Sequence, residues 1–157
     1  QGAMGSDAQI GRTAALDAEF AKGTMKKVIQ QTATWDEAEA KKIVESVINS
    51  GEKFNVIYAE NDGMAKGAVA ALDEAGITHG VNGDVVVMGF DCNKWALREL
   101  LAGNWNYDGQ CSPFQAAVIE NMIKTGNVTS KKVISEEKGF DAKTITKADI
   151  DTYGLGD

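Results

Sequence analysis

Apolar positions recur along the chain at helical and strand intervals in turn. Residues 7–22 carry Ile10, Ala14, Leu16, Ala18, Phe20 and Ala21 and run into Gly23, so the spacing predicts a helix with Gly23 as its stop. Residues 25–32 are a short strand candidate around Val28 and Ile29. Thr34-Trp35-Asp36 then opens a second helix, with Thr34 or Asp36 as cap and Ala38, Ile43, Val44, Val47 and Ile48 as its apolar stripe. Residues 54–59 are a nearly continuous apolar run, the pattern of a buried parallel strand. Residues 64–75 predict an alanine-rich helix ended by Gly76, in which Gly67 permits close packing. Val85, Val86 and Val87 mark the strand 84–90, followed by a helix over 93–102 that stops at Gly103. A weaker strand occupies 105–111. Pro113 suits the first turn of a further helix, striped by Phe114, Ala117, Val118, Ile119, Met122 and Ile123 and closed by Gly126-Asn127. A strand candidate at 131–134 precedes a polar tail with a helical turn at 147–153. This alternation predicts an α/β fold: a doubly wound parallel sheet of about five strands with helices on both faces.

The bulk numbers narrow the classes. The 157 residues suit one domain, and a single proline argues against a linker-rich or disordered chain. A formal net charge of −7 with no basic face disfavours nucleic acid and anionic membrane surfaces. No apolar run approaches the ~18 residues of a membrane span. Residues 1–6, Gln1-Gly2-Ala3-Met4-Gly5-Ser6, read as a protease-cleavage and cloning scar outside the fold.

Catalytic constellations are missing from the sequence. The one histidine, His79, sits in a loop; there is no Gly-x-Ser-x-Gly elbow, Walker loop or Gly-x-Gly-x-x-Gly after the first strand. No metal site or cofactor is expected: Asp84 opens its strand and Asp91 closes it, so the two lie at opposite sheet edges. What remains is a set of polar groups at the ends of strands on one edge: Asn61, Asp62, Asp91 and Gln110, with Arg12 and Trp35 on flanking helix-start segments. A carboxylate accepts two hydroxyl hydrogens, an amide both donates and accepts, and a guanidinium donates in a fork. An indole covers the C–H face of a sugar ring. Such a set suits a neutral polyhydroxylated ligand. Equally, Asn61 and Asp91 could cap the helices that follow them while Trp35 is core.

These residues lie in motifs that resemble the periplasmic sugar-binding proteins of ABC transporters, of the ribose and glucose/galactose type. The motifs are Val56-Ile57-Tyr58-Ala59-Glu60-Asn61-Asp62-Gly63-Met64-Ala65-Lys66-Gly67-Ala68, then Val87-Met88-Gly89-Phe90-Asp91, and the pair Trp35-Asp36. The later run Leu101-Ala102-Gly103-Asn104-Trp105, with Gly109-Gln110-Cys111-Ser112-Pro113-Phe114, is closest to the galactofuranose branch. The resemblance implies that Arg12, Trp35, Asn61, Asp91 and Gln110 contact a pentose or hexose, while Asp62 caps its helix. It implies one lobe of a two-lobed protein: 7–112 as the C-terminal lobe, 113–135 crossing to the absent first lobe, and 136–157 returning as the tail. The implied partners are the monosaccharide and a membrane permease, with no enzyme activity, and the implied location is the periplasm or, as a lipoprotein, the outer face of the membrane. An unpartnered 113–135 segment would favour a homodimer. Cys92 and Cys111 follow ligand positions on strands that are neighbours in the family, so a disulfide between them would brace the rim. The effector domain of a lactose-repressor-type regulator shares this fold and is the alternative reading.

Overall fold

A computed structural model of the chain describes residues 1–112, 116–126 and 136–156. The elements run α1 (Asp7–Phe20), α2 (Glu37–Asn49), β1 (Val56–Tyr58), α3 (Asp62–Glu74), β2 (Val86–Asp91), α4 (Lys94–Ala102), β3 (Tyr107–Gln110), α5 (Ala116–Thr125), β4 (Gly139–Asp141) and α6 (Lys147–Tyr153). The sheet has the order β1-β2-β3-β4. Val56, Ile57 and Tyr58 pair with Val86, Val87 and Met88, and residues 88–91 pair with 107–110, all parallel. β4 joins β3 antiparallel, through Tyr107 with Asp141, Asp108 with Phe140 and Gly109 with Gly139.

Alternation along β2 sorts the layers. Val87 and Gly89 face inward, where α3 packs on β2 and against α2, and α4 packs on β3 and against α6. The core there is built from Leu72, Val87, Leu97, Leu100 and Trp105, all at most 2% exposed. Trp95 meets Trp105 edge-to-face at 5.8 Å. The opposite face carries Tyr58 and Phe90, whose rings meet edge-to-face at 5.3 Å, and there α1 approaches through Arg12. Parallel strands end together, so the C-terminal ends of β1, β2 and β3 deliver residues 59–62, 91–93 and 110–111 to one edge.

The α/β alternation predicted above holds, with differences that have physical causes. Residues 25–32 form no strand. The segment has no neighbour to ladder with except at its end, where the Gln1 amino group donates to the Gln31 carbonyl (2.7 Å) and the Ala33 N–H to the Gln1 carbonyl (2.8 Å). Met25, Val28 and Ile29 are therefore exposed, and β1 is an edge strand with Val56 exposed rather than a buried one. The helix over 7–22 forms, but its inward residues are Gln9, Arg12 and Thr13, while Ile10 faces solvent. The sheet edge it meets is polar, and a polar helical face is what can satisfy it. β4 lies in what the pattern reads as tail. The strand candidate at 131–134, together with Pro113 and Phe114, lies outside the described residues.

Residues 1–6, set outside the fold by composition, are bonded into it. Gly2 is buried and its N–H donates to Glu60 Oε2 at 2.7 Å, while the Thr32 hydroxyl donates to the Gly2 carbonyl at 2.6 Å. The Gly5 N–H donates to Gln9 Oε1 at 3.1 Å, and the Ile10 N–H to the Ser6 carbonyl at 2.9 Å.

Candidate functional site

The polar edge is organised around Arg12. Helix α1 lays its inward side over the ends of β1 and β2, which sets the guanidinium between two rings, 5.7 Å from Trp35 and 5.0 Å from Phe90. One arm donates to Asp91 Oδ1 at 2.8 Å and the other to the Glu60 carbonyl. The Tyr58 hydroxyl donates back to the Arg12 carbonyl at 3.1 Å. The ion pair is only partly wet, with side-chain exposures of 12% for Arg12 and 30% for Asp91. Burial pushes the Asp91 carboxyl up from its ordinary range, and Arg12 pulls it back in part. Burial opposes the Arg12 charge, but Asp91 and the Cys111 thiol outweigh it and hold the guanidinium above its ordinary value.

Four non-glycine residues at this edge have left-handed backbones: Thr34 (φ 52°), Trp35 (φ 69°), Asp91 (φ 110°) and Cys92 (φ 58°). Such geometry costs on the order of 1–3 kcal/mol per residue and persists only where the surroundings over-determine it. For Trp35 the surroundings include Gly2, where a Cβ would fall 2.1 Å from the indole. Trp35 is thus half-buried: it packs against the core and on Gly2, with Arg12 beside its ring.

Asn61 caps α3, accepting from the Met64 N–H at 2.8 Å and donating to the Trp35 carbonyl at 3.4 Å. Asp91 does not cap α4. The N-cap of that helix is Asn93, which makes no side-chain cap bond. Asp62 is not the cap either, contrary to the expectation from the resemblance. It is wholly buried, and its Oδ2 accepts from the Asn93 N–H (2.8 Å) and Nδ2 (2.9 Å), tying α3 to the turn after β2. Gln110 accepts from the Lys138 N–H at 3.2 Å and lines a shallow cavity of about 260 Å³ with Asp7, Arg12, Phe90, Cys111 and Glu137.

The bridge between Cys92 and Cys111 is not formed: both are free, Cys92 buried and Cys111 exposed. The turn at Asp91–Cys92 sends the Cys92 thiol inward beside Asp108 and Asp62, while Cys111 faces Arg12. Burial, reinforced by those acids, pushes the Cys92 thiol far up, so it stays protonated. Among the described residues no cluster of three or more His, Cys, Asp or Glu could hold a metal ion.

Two residues of the edge escaped the sequence reading although both lie in its motifs. Glu60, 1% exposed, accepts from the Gly2 N–H and the Thr13 hydroxyl and so clamps the first residues and α1 to the end of β1. Phe90 is the second wall of the guanidinium slot. The signal for Glu60 was a carboxylate closing an apolar strand. The signal for Phe90 was an aromatic directly before Asp91.

The edge brings together a charge-paired guanidinium fork and carboxylate between two aromatic faces. The profile described as "Periplasmic binding protein domain" matches residues 1–124, and the chain belongs to that family. The D-apiose import binding protein of Paraburkholderia graminis is 40% identical over 143 residues, covering 83% of this chain and 42% of that protein. The fructose import binding protein FruE of Bifidobacterium longum is 30% identical over 128 residues, 78% of this chain and 38% of that protein. The chain thus spans less than half the length of these curated relatives. The arabinose ABC transporter binding component of Shewanella sp. ANA-3, solved with L-arabinofuranose, matches with a TM-score of 0.82 at 27% identity, over 98% of this chain and 52% of that one. A galactofuranose binding protein shares the fold, with a TM-score of 0.82 over 98% of the chain.

Proposed function

We propose that this chain is the C-terminal lobe of a sugar-binding protein for ABC-type import and supplies one wall of a two-lobed sugar cleft. The observation that carries the reading is the Arg12–Asp91 pair held between Trp35 and Phe90 at the C-terminal ends of the strands. Fork and carboxylate offer donors and acceptors to vicinal hydroxyls, and the rings offer apolar faces to the sugar C–H edge. Asn61 and Gln110 complete the wall. Relatives that serve the import of D-apiose and of fructose support a pentose or hexose as ligand. Sugar binding closes the lobes about a hinge, and a membrane permease reads the closed form. The protein works outside the cytoplasm, in the periplasm or as a lipoprotein on the outer face of the membrane. In α5, Ile119 and Ile123 are 53% and 75% exposed, which supports the segment 113–135 as one that packs on the other lobe, or on a second copy of this chain when that lobe is missing.

Calorimetry of the full-length protein against pentoses and hexoses in both ring forms tests the reading. One sugar class binds, and Asp91→Ala and Trp35→Ala each weaken it by at least tenfold. Unchanged affinity in both variants overturns the site. The lobe alone binds the same sugar weakly or undetectably, because half of the wall is missing.

A further inference from the structure

A second acid lies beneath the recognition edge, and the sugar reading makes no use of it. Asp108, in the middle of β3, is wholly buried, as is Asp62 at the start of α3. Asp108 pairs with Gly89 across the sheet and Asp62 lies over that same glycine, so the two carboxyl groups are brought side by side. Three of their four oxygens, Asp62 Oδ1 and both of Asp108, make no well-formed hydrogen bond with the rest of the described protein, although the backbone N–H and thiol of Cys92 lie close to Asp108. The fourth, Asp62 Oδ2, takes both Asn93 donors. The pocket is tight: a Cβ on Gly89 would stand 2.8 Å from Asp62 Oδ1 and 2.8 Å from the Trp105 ring. Two ionised carboxylates side by side, with well-formed donors only on Asp62 Oδ2, would repel each other and leave Asp108 with most of its desolvation penalty. A proton between them removes both costs.

We propose that Asp62 and Asp108 act as one proton-sharing unit, Asp108 donating its carboxyl hydrogen to Asp62 Oδ1, and that Asp108 is thereby a positioning residue for the turn that carries Asp91. The donors on Asp62 Oδ2 make it the ionised partner, which leaves the hydrogen on Asp108. Asp62 in turn holds Asn93, directly after the strained residues Asp91 and Cys92. Arg12 restrains that turn from the α1 side and the acid pair restrains it from beneath. The groups facing the pair are Asp91 and Cys92 from the end of β2 and Tyr107 from β3, with Arg12 of α1 bonded to Asp91. None of those facing groups adds a positive charge that would let both acids ionise together.

Burial first, and then each acid's charge on the other, raises Asp108. Burial raises Asp62 against the Asn93 bonds. A raised carboxyl holds its proton in the folded chain where the unfolded chain has released it, above pH ~4. The stability it contributes is full below that pH and declines as pH rises, until the folded form releases the proton as well. Over that window the unfolding constant grows about tenfold per pH unit for each extra proton held.

Only the consequence for sugar rests on the function proposed above. The tests below contain no sugar, so the acid pair and the sugar site fail separately. Carbon-detected NMR of the aspartate carboxyls in the unmodified chain, from pH 4 to 10, shows the Asp108 carboxyl protonated above pH 6, with the Asn93 amide shifting in the same transition. Urea unfolding over that range shows a fall in stability that is about one proton shallower in Asp108→Asn, which keeps an N–H for Asp62 and cannot ionise. The Asn93 amide of that variant does not follow the alkaline transition. Carboxyls that all titrate below pH 6, or an Asn93 amide that stays still while Asp108 titrates, overturn the proposal, and both are read on the unmodified chain.

Discussion

Replacing Arg12 by alanine tests the centre of the edge without any ligand. The change removes a 2.8 Å bond to Asp91, the bond to the Glu60 carbonyl, and two ring contacts at 5.7 and 5.0 Å. A hydrogen bond to a charged group contributes about 1.5–3 kcal/mol net, and a cation over a ring about 0.5–1 kcal/mol in partly wet surroundings. Stripping one partner from a fully buried pair costs about 3–5 kcal/mol, but Asp91 keeps 30% of its side chain in water and recovers part of that by hydration. A loss of about 2–3 kcal/mol at pH 8 is the expected result. The pH dependence is more diagnostic than the size. Burial already raises Asp91 and Arg12 opposes it, so the variant's Asp91 rises further. A folded carboxyl raised above its unfolded value is penalised least when protonated. The deficit of the variant is therefore largest at pH 8 and shrinks as the pH falls through the new Asp91 midpoint. Urea unfolding of both proteins at pH 4.5 and pH 8, read at equal m-values, gives the difference, and the Asp62–Asp108 titration common to both largely cancels. A deficit below about 0.5 kcal/mol at pH 8, or one that grows on acidification, refutes the account.

Gly67→Ala sets two effects against each other. Alanine gains about 1 kcal/mol of helix propensity, but its Cβ would lie 2.0 Å from the Glu37 carbonyl oxygen in α2. Backbone cannot yield as a side chain does, so a net loss of about 1–3 kcal/mol is expected in thermal or urea unfolding, and a stabilised variant would show that α2 and α3 are not in this contact. Asn61→Ala removes the α3 cap and costs about 1 kcal/mol, which Asn61→Asp largely restores by accepting from the Met64 N–H; equal stability of all three chains contradicts the capping role. Light scattering of the eluting chain gives twice the monomer mass at high concentration, and a clean monomer there excludes the association through 113–135.

Much of the architecture was legible because it is written in short-range pattern. The helix over 147–153 is bounded as its periodicity says, and Asp36 caps α2, as one of the two cap candidates. The strand ends bearing Asn61, Asp91 and Gln110 meet at one edge because parallel strands joined by helices must end together. Less legible was what each polar group does there. Asn61 and Asp62 are adjacent in sequence and differ in what they do: the first caps the start of the helix, the duty expected of the second, and the second reaches 31 positions onward to Asn93. Residues 25–32 have strand composition and no strand, because β-structure is a property of a pair and their neighbour is a single residue, Gln1. Gln1 to Ser6 look like leftover sequence on composition, and only tertiary bonds such as those from Gly2 to Glu60, 58 positions away, and from Thr32 to Gly2 tie them to the fold.

Local rhythm, turn chemistry and motif were enough to establish an α/β chain of this family, with a polar edge suited to a polyhydroxylated ligand. Those signals act over a few residues and survive without tertiary context. The contacts that make the edge a site do not. Arg12 and Asp91 are 79 positions apart. Asp62, expected to cap its helix, and Asp108, which no sequence motif singled out, become a buried pair only when α3 and β3 close over Gly89. Charge, exposure and proton affinity depend on which groups share a low-dielectric volume, and that volume exists only once the chain has packed.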